Sequence, residues 1–184
     1  YAQFDKGDLF VGGNFGFSIN NNESSNPSSS TQYSINLNPN LGYFISDRSA
    51  IGVIPQISFF KSTTTTSTDT KITRKDASGG IGLFYRRYFP VIDNFYIFLE
   101  PRAIFNMGLV GNERPNYFGV SLMPGASYKI SNKWMVEANF GGIAYNTTCG
   151  DIGTNQAYNN SRFSFDLITA NSIGIIYFIN QKEQ

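Results

Sequence analysis

Residues 31–45 alternate almost without fault between two kinds of side chain. Tyr33, Ile35, Leu37, Pro39, Leu41, Tyr43 and Ile45 fall on one face; Ser34, Asn36, Asn38, Asn40 and Gly42 fall on the other. A period of two belongs to an extended strand and to no helix. A soluble sheet with one wet face satisfies this pattern, and so does a barrel with lipid outside and a polar interior. Length separates the two. A globular strand is usually ~5–6 residues long, whereas a tilted strand needs ~9–11 residues to cross a bilayer. The run 31–45 suits the second case.

The same run opens a hairpin that recurs. Leu37, Pro39, Tyr43, Ile45, Ser46, Asp47, Arg48 and Ile51 have counterparts, in order, in Leu122, Pro124, Tyr128, Ile130, Ser131, Asn132, Lys133 and Val136. A repeated hairpin with proline in register points to a repetitive β architecture. Along the chain, alternation predicts strands over 7–20, 31–45, 50–61, 72–89, 95–109, 117–130, 134–145 and 162–180. Short turns at 46–48, 90–94 and 132–133 take turns with polar loops at 21–30, 110–116 and 146–161 and with 62–71, a polar loop or a soft strand extension. Eight strands with short turns on one side and long loops on the other describe an all-β, eight-stranded antiparallel up-and-down transmembrane β-barrel, one domain over residues 1–184 with a lead at 1–6 and a tail at 181–184.

Composition narrows function by exclusion. There is no histidine and a single cysteine, Cys149. Ser-His-Asp triads, Cys-His pairs, histidine-ligated zinc and internal disulfides are therefore out of reach. A net charge of +1 is not that of a nucleic-acid binder. No apolar run approaches the ~18 residues of a spanning helix. No catalytic, cofactor or metal site is expected; Glu23 and Asp151 read as solvated loop residues.

Two residue sets stand out once the strands are phased. Tyr43, Tyr85, Tyr128, Trp134 and Tyr177 map outward near the short turns, where an aromatic girdle would meet lipid headgroups. Arg86, Glu100, Arg102, Lys129 and Glu137 map inward. They are read as a structural plug of paired charges, with pore lining as the alternative, because the interior of an eight-stranded barrel is just wide enough for side chains to fill. Glycine is frequent on the inward faces for the same reason. Pro39, Pro55, Pro101 and Pro124 map outward and are expected to mark bulges.

Several stretches resemble a known family: SINLNPNLGYFISDRSAIGV, GLFYRRYFPV, SLMPGASYKISNKWMVEANFGGIAY and the terminal SIGIIYFIN. Together they look like the small outer-membrane β-barrels typical of Bacteroidetes, related in architecture to OmpA and OmpX. The resemblance implies a bacterial outer-membrane location with periplasmic termini. A small closed barrel has little to do except anchor and present loops, so contact with outer-membrane lipid and lipopolysaccharide, and with other outer-membrane proteins in a larger complex, is expected. Tyr1-Ala2 reads as the remnant of a cleaved signal peptide. The expected function is non-enzymatic, a structural or interaction role. A small-molecule conduit of the OmpW type and a soluble lipocalin-like ligand-binding barrel are the alternatives.

Overall fold

The fold was analysed in a computed structural model that describes residues 4–23, 29–65, 70–110, 116–151, 157–166 and 172–180. Tyr1-Ala2, expected to be a remnant, and the expected tail at 181–184 lie outside these residues, as does most of the stretch 167–172 on which the middle of the last expected strand fell. Ten strands run in chain order: β1 (Leu9–Glu23), β2 (Ser29–Ser46), β3 (Ser49–Thr65), β4 (Lys71–Ile92), β5 (Phe95–Val110), β6 (Asn116–Lys129), β7 (Trp134–Asn139), β8 (Gly142–Asp151), β9 (Ala157–Asp166) and β10 (Ser172–Phe178). No helix is present among the described residues.

Every pairing is antiparallel, and each strand from β1 to β6 pairs with the next in the chain. The free edge of β6 is then shared. Gly125–Lys129 pair with β7, and Asn116–Leu122 pair with β8. β7 pairs with β10, and β10 returns to β1 through Phe10–Phe178 and Val11–Tyr177. The pairings therefore close on themselves through β1, β2, β3, β4, β5, β6, β7 and β10.

Ten strands in place of eight result from two breaks. The expected strand 134–145 divides at Phe140-Gly141 into β7 and β8, and the expected strand 162–180 divides into β9 and β10. At the first break the pleat changes parity. Trp134 is exposed with Met135, Glu137 and Asn139 buried, whereas beyond it the odd residues Ile143 and Tyr145 are exposed. One extra residue in a strand has this effect. Glycine makes it feasible: Gly142 has φ +151°, and a Cβ on Gly141 would sit 1.9 Å from the Asp166 carbonyl oxygen.

Two expectations are corrected here. The stretch 146–161 is not one long loop, since β8 and β9 pair from Gly142–Asp166 up to Asp151–Ala157. Polar residues hold the ladder through Thr147 to Asn159 (2.9 Å) and Ser161 to Thr147 (3.2 Å). Backbone pairing needs no apolar side chain, so a hydropathy pattern does not see it. Nor are the four outward prolines at register shifts; the irregularities lie at 44–46, 77–78 and 90–92. Pro39 and Pro55 stand directly opposite each other where β2–β3 pairing lapses between Leu37–Ile57 and Leu41–Val53, and the register resumes unchanged. Each proline lacks a ladder donor, so setting two face to face confines both gaps to one place.

The buried core lies inside the ring. It consists of Phe10, Phe44, Ala50, Ile54, Phe84, Tyr88, Tyr96, Phe98, Met135, Ile176 and Phe178, joined by Phe4 from the N-terminal lead. The sheet's outer face is apolar and exposed, from Leu9 and Leu41 to Ile97 and Val120. Inward rings gain room from glycines on the next strand: Phe10 lies opposite Gly42, Phe84 opposite Gly52 and Phe98 opposite Gly125. A Cβ on Gly52 would come within 2.2 Å of the Leu41 carbonyl oxygen and 2.4 Å of the Phe84 ring. The G52A variant should therefore lose about 1–3 kcal/mol of stability. G16A, whose Cβ would meet nothing closer than 3.6 Å, should leave stability unchanged. Urea unfolding midpoints of the refolded protein in detergent compare them, and equal midpoints would refute the close ring-on-glycine packing.

Candidate functional site

The lumen in the half nearest the short turns is filled by two stacked clusters, one ionic and one aromatic. Arg86 on β4 and Glu100 on β5 stand directly opposite each other, between the paired positions Phe84–Arg102 and Arg87–Leu99. Strand alternation turns both inward, and both are fully buried. The Arg86 Nε donates to Glu100 Oε2 at 2.6 Å, and its Nη1 donates to Glu137 Oε2 at 2.5 Å and to the Tyr88 hydroxyl at 3.0 Å. Arg102 donates to Glu100 Oε1 through Nε at 2.9 Å and also through Nη2. The guanidinium of Arg86 lies 4.3 Å from the Phe98 ring centroid, between the Phe84 and Tyr88 rings. Two arginines and two glutamates thus neutralise one another across β4, β5 and β7. Charges taken out of water are tolerated only when paired and hydrogen-bonded in this way.

Lys129 does not join this group. Its ammonium lies 5.6 Å from the ring centroids of Phe4 and of Phe178, and the carboxylates acting on it are Asp8 and Asp5. It belongs to the aromatic cluster, which centres on Phe4. That ring stacks on Phe44 at 4.4 Å and touches Tyr88 at 4.8 Å and Tyr96 at 4.9 Å. The lead is tied in place by Gly7 N–H to the Phe44 carbonyl (2.8 Å), Phe44 N–H to the Asp8 carbonyl (2.9 Å) and the Asn180 amide to the Gly7 carbonyl (2.9 Å).

Sequence reasoning expected a polar interior and missed the aromatic half of it. The signal was present for the rings on strands, since Phe10, Phe44, Phe84, Tyr88, Tyr96, Phe98 and Phe178 all occupy the inward register. Phe4 had none, because it precedes the first alternating run. Beyond the charged cluster the lumen widens into a cavity of about 380 Å³ lined by Ser58, Phe60, Arg74, Asp76, Asn106 and Tyr117.

On the outer face Tyr43, Tyr85, Tyr128 and Trp134 are exposed, and Tyr177 is half-buried against Trp134, with ring centroids 4.8 Å apart. Register places Leu9, Tyr43, Ile51 and Tyr85 side by side, and likewise Tyr177 beside Trp134. The side chains of Glu23 and Asp151 lie outside the described parts of the structure; Cys149 is exposed. Among the described residues no group of histidine, cysteine, aspartate or glutamate could hold a metal ion.

Removing one member of the ionic cluster leaves a buried countercharge. E100A should cost about 3–5 kcal/mol, and a variant that removes all four charges, R86M/E100L/R102M/E137L, should lose less than E100A alone. Thermal unfolding in detergent measures both. A charge-free variant weaker than E100A would mean that the ions themselves, rather than the space they fill, hold the lumen together.

No curated protein sequence matches this chain. Residues 1–168 match the family described as the outer membrane protein beta-barrel domain. With its all-antiparallel sheet, its apolar exterior and its match over most of its length, the chain belongs to the outer membrane protein beta-barrel domain family.

Proposed function

We propose that the chain is an eight-stranded up-and-down barrel of the outer membrane that neither conducts nor catalyses. In this reading β7 with β8, and β9 with β10, each count as one broken staple of the wall. The protein anchors and presents its loops to other envelope components, with its termini in the periplasm and an architecture of the OmpA and OmpX kind found in Bacteroidetes barrels. The observation that carries the reading is the filled lumen. The Phe4 aromatic cluster and the Arg86–Glu100–Glu137–Arg102 cluster occupy it in succession, both built of side chains that are almost wholly buried. A barrel this narrow, packed across its section, leaves no continuous water path.

One observation favours a second reading, a small-molecule conduit opening sideways. Among the described residues no pairing joins β9 to β1, and outward residues flanking that seam stand well out of the wall: Phe15 is 69% exposed and Phe163 68%. An unpaired edge is costly at membrane depth, so a seam there is either zipped in the bilayer or used as a portal.

Planar-bilayer recordings of the purified protein are expected to show no stable conductance steps, and vesicles carrying it should take up a small apolar dye no faster than empty ones. Sustained steps would reject the sealed lumen, and accelerated dye uptake alone would favour the sideways conduit. For the interaction role, extraction from native membranes in mild detergent should yield the protein together with other envelope proteins that co-elute with it and separate on a denaturing gel. A lone monomer would remove that part of the reading.

A further inference from the structure

We infer that the outer face carries a binding site for the phosphorylated headgroup of an outer-leaflet lipid, formed by Lys61 on β3 and Lys75 on β4 above an apolar groove. The inference rests on the outer-membrane reading and adds a specific ligand position to it.

The two lysines are paired directly across the β3–β4 ladder, and Lys61 is paired in turn with Tyr33 on β2. Like charges directly opposite each other repel. Among the described residues no carboxylate pairs with either ammonium; Asp76, the acidic group at the groove's edge, is held by Arg74 Nε at 2.8 Å. Both lysines are exposed and take the outward parity shared by Ile57, Phe59 and Ile81. An anion placed between them would turn the repulsion into two attractions.

Height argues that the anion belongs to a lipid. The row Tyr33–Lys61–Lys75 repeats the row Tyr43–Ile51–Tyr85 ten residues further along each of the three strands. At ~3.3 Å per residue and a tilt of ~40°, ten residues rise about 25 Å, the height of the apolar band of such barrels. The lower row carries aromatic residues of the short-turn rim. The upper row therefore sits at the opposite headgroup level, on the loop side. Below the lysines a groove of about 450 Å³ is lined by Tyr33, Ile35, Phe59, Ala77 and Val110. Paired ammonium groups over a hydrocarbon trough match a phosphate with acyl chains beneath it.

The test uses the purified protein, bis-phosphorylated lipid A bearing a fluorescent label, and the same lipid dephosphorylated, with binding read by fluorescence polarisation in detergent micelles. The native protein should prefer the phosphorylated form by roughly 10-fold or more. K61Q/K75Q should lose that preference, and K71Q, near the far end of β4, should keep it. An unchanged preference in K61Q/K75Q, or no preference in the native protein, would overturn the site. Competition by inorganic phosphate at the concentrations at which the lipid binds would overturn its assignment to a lipid. Flotation with vesicles is run alongside: a protein that fails to float rejects the membrane reading and the site with it, whereas one that floats without preference rejects the site alone.

Discussion

Every feature of this molecule answers to one requirement, that backbone N–H and C=O groups find partners where water is absent. An open sheet leaves two edges unpaired, so in hydrocarbon the sheet must return on itself. The short seam between β1 and β10 performs that return, and the Leu9 amide and carbonyl beside it are taken by Asn180 Oδ1 at 2.7 Å and by Ile179 N–H at 2.8 Å. Once the sheet closes, alternation acquires a fixed meaning. One parity faces lipid and the other faces a confined volume, and a one-residue slip would exchange the two. The break at Phe140–Gly142 is such a slip, placed where two glycines absorb it.

The confined volume sets the second constraint. Aromatic rings cannot all fit where strands are close, so Phe10, Phe84 and Phe98 lie over Gly42, Gly52 and Gly125 on the neighbouring strands. Ring and glycine together take about the space of two medium side chains, unequally divided. The charged layer obeys the same limit: Arg86 gives Nε to Glu100 and Nη1 to Glu137 and Tyr88, while its buried Nη2 has no hydrogen-bond partner. The nearby rings of Phe84, Phe98 and Tyr88 strengthen those bonds by lowering the local dielectric.

Much of this was legible in the sequence because a period of two is a direct readout of sheet geometry. Tyr43, Tyr85, Tyr128 and Trp134 lie on the exposed face that their parity gave them, and Arg86, Glu100 and Glu137 on the buried one. What alternation cannot encode is distance across the barrel. Nothing local says that Glu137 reaches Arg86 while Lys129 does not; that depends on which strands face each other after closure. Phe4 was hidden for a related reason, since it acts through a reversal of the lead into the lumen rather than through a strand. The pairing of β8 with β9 was hidden because Thr147, Asn159 and Ser161 carry no hydropathy signal although their backbones pair as well as any. Pro39 and Pro55 were misread because a missing donor looks the same in sequence whether the chain bulges or two gaps are set face to face.

The ionic cluster also has a bearing on the order of assembly. Arg86 and Glu100 are 14 residues apart and meet within one hairpin, but Arg86 and Glu137 are separated by 51 residues. A wall grown from the first strand to the sixth therefore holds an arginine with one carboxylate already shared with Arg102. Only when β7 docks does the layer become neutral, and β7 is also the strand that receives β10 and lets the ring close. Charge balance thus arrives one ring strand before closure, so a partly wound sheet stays electrostatically incomplete until the strand that receives β10 is in place.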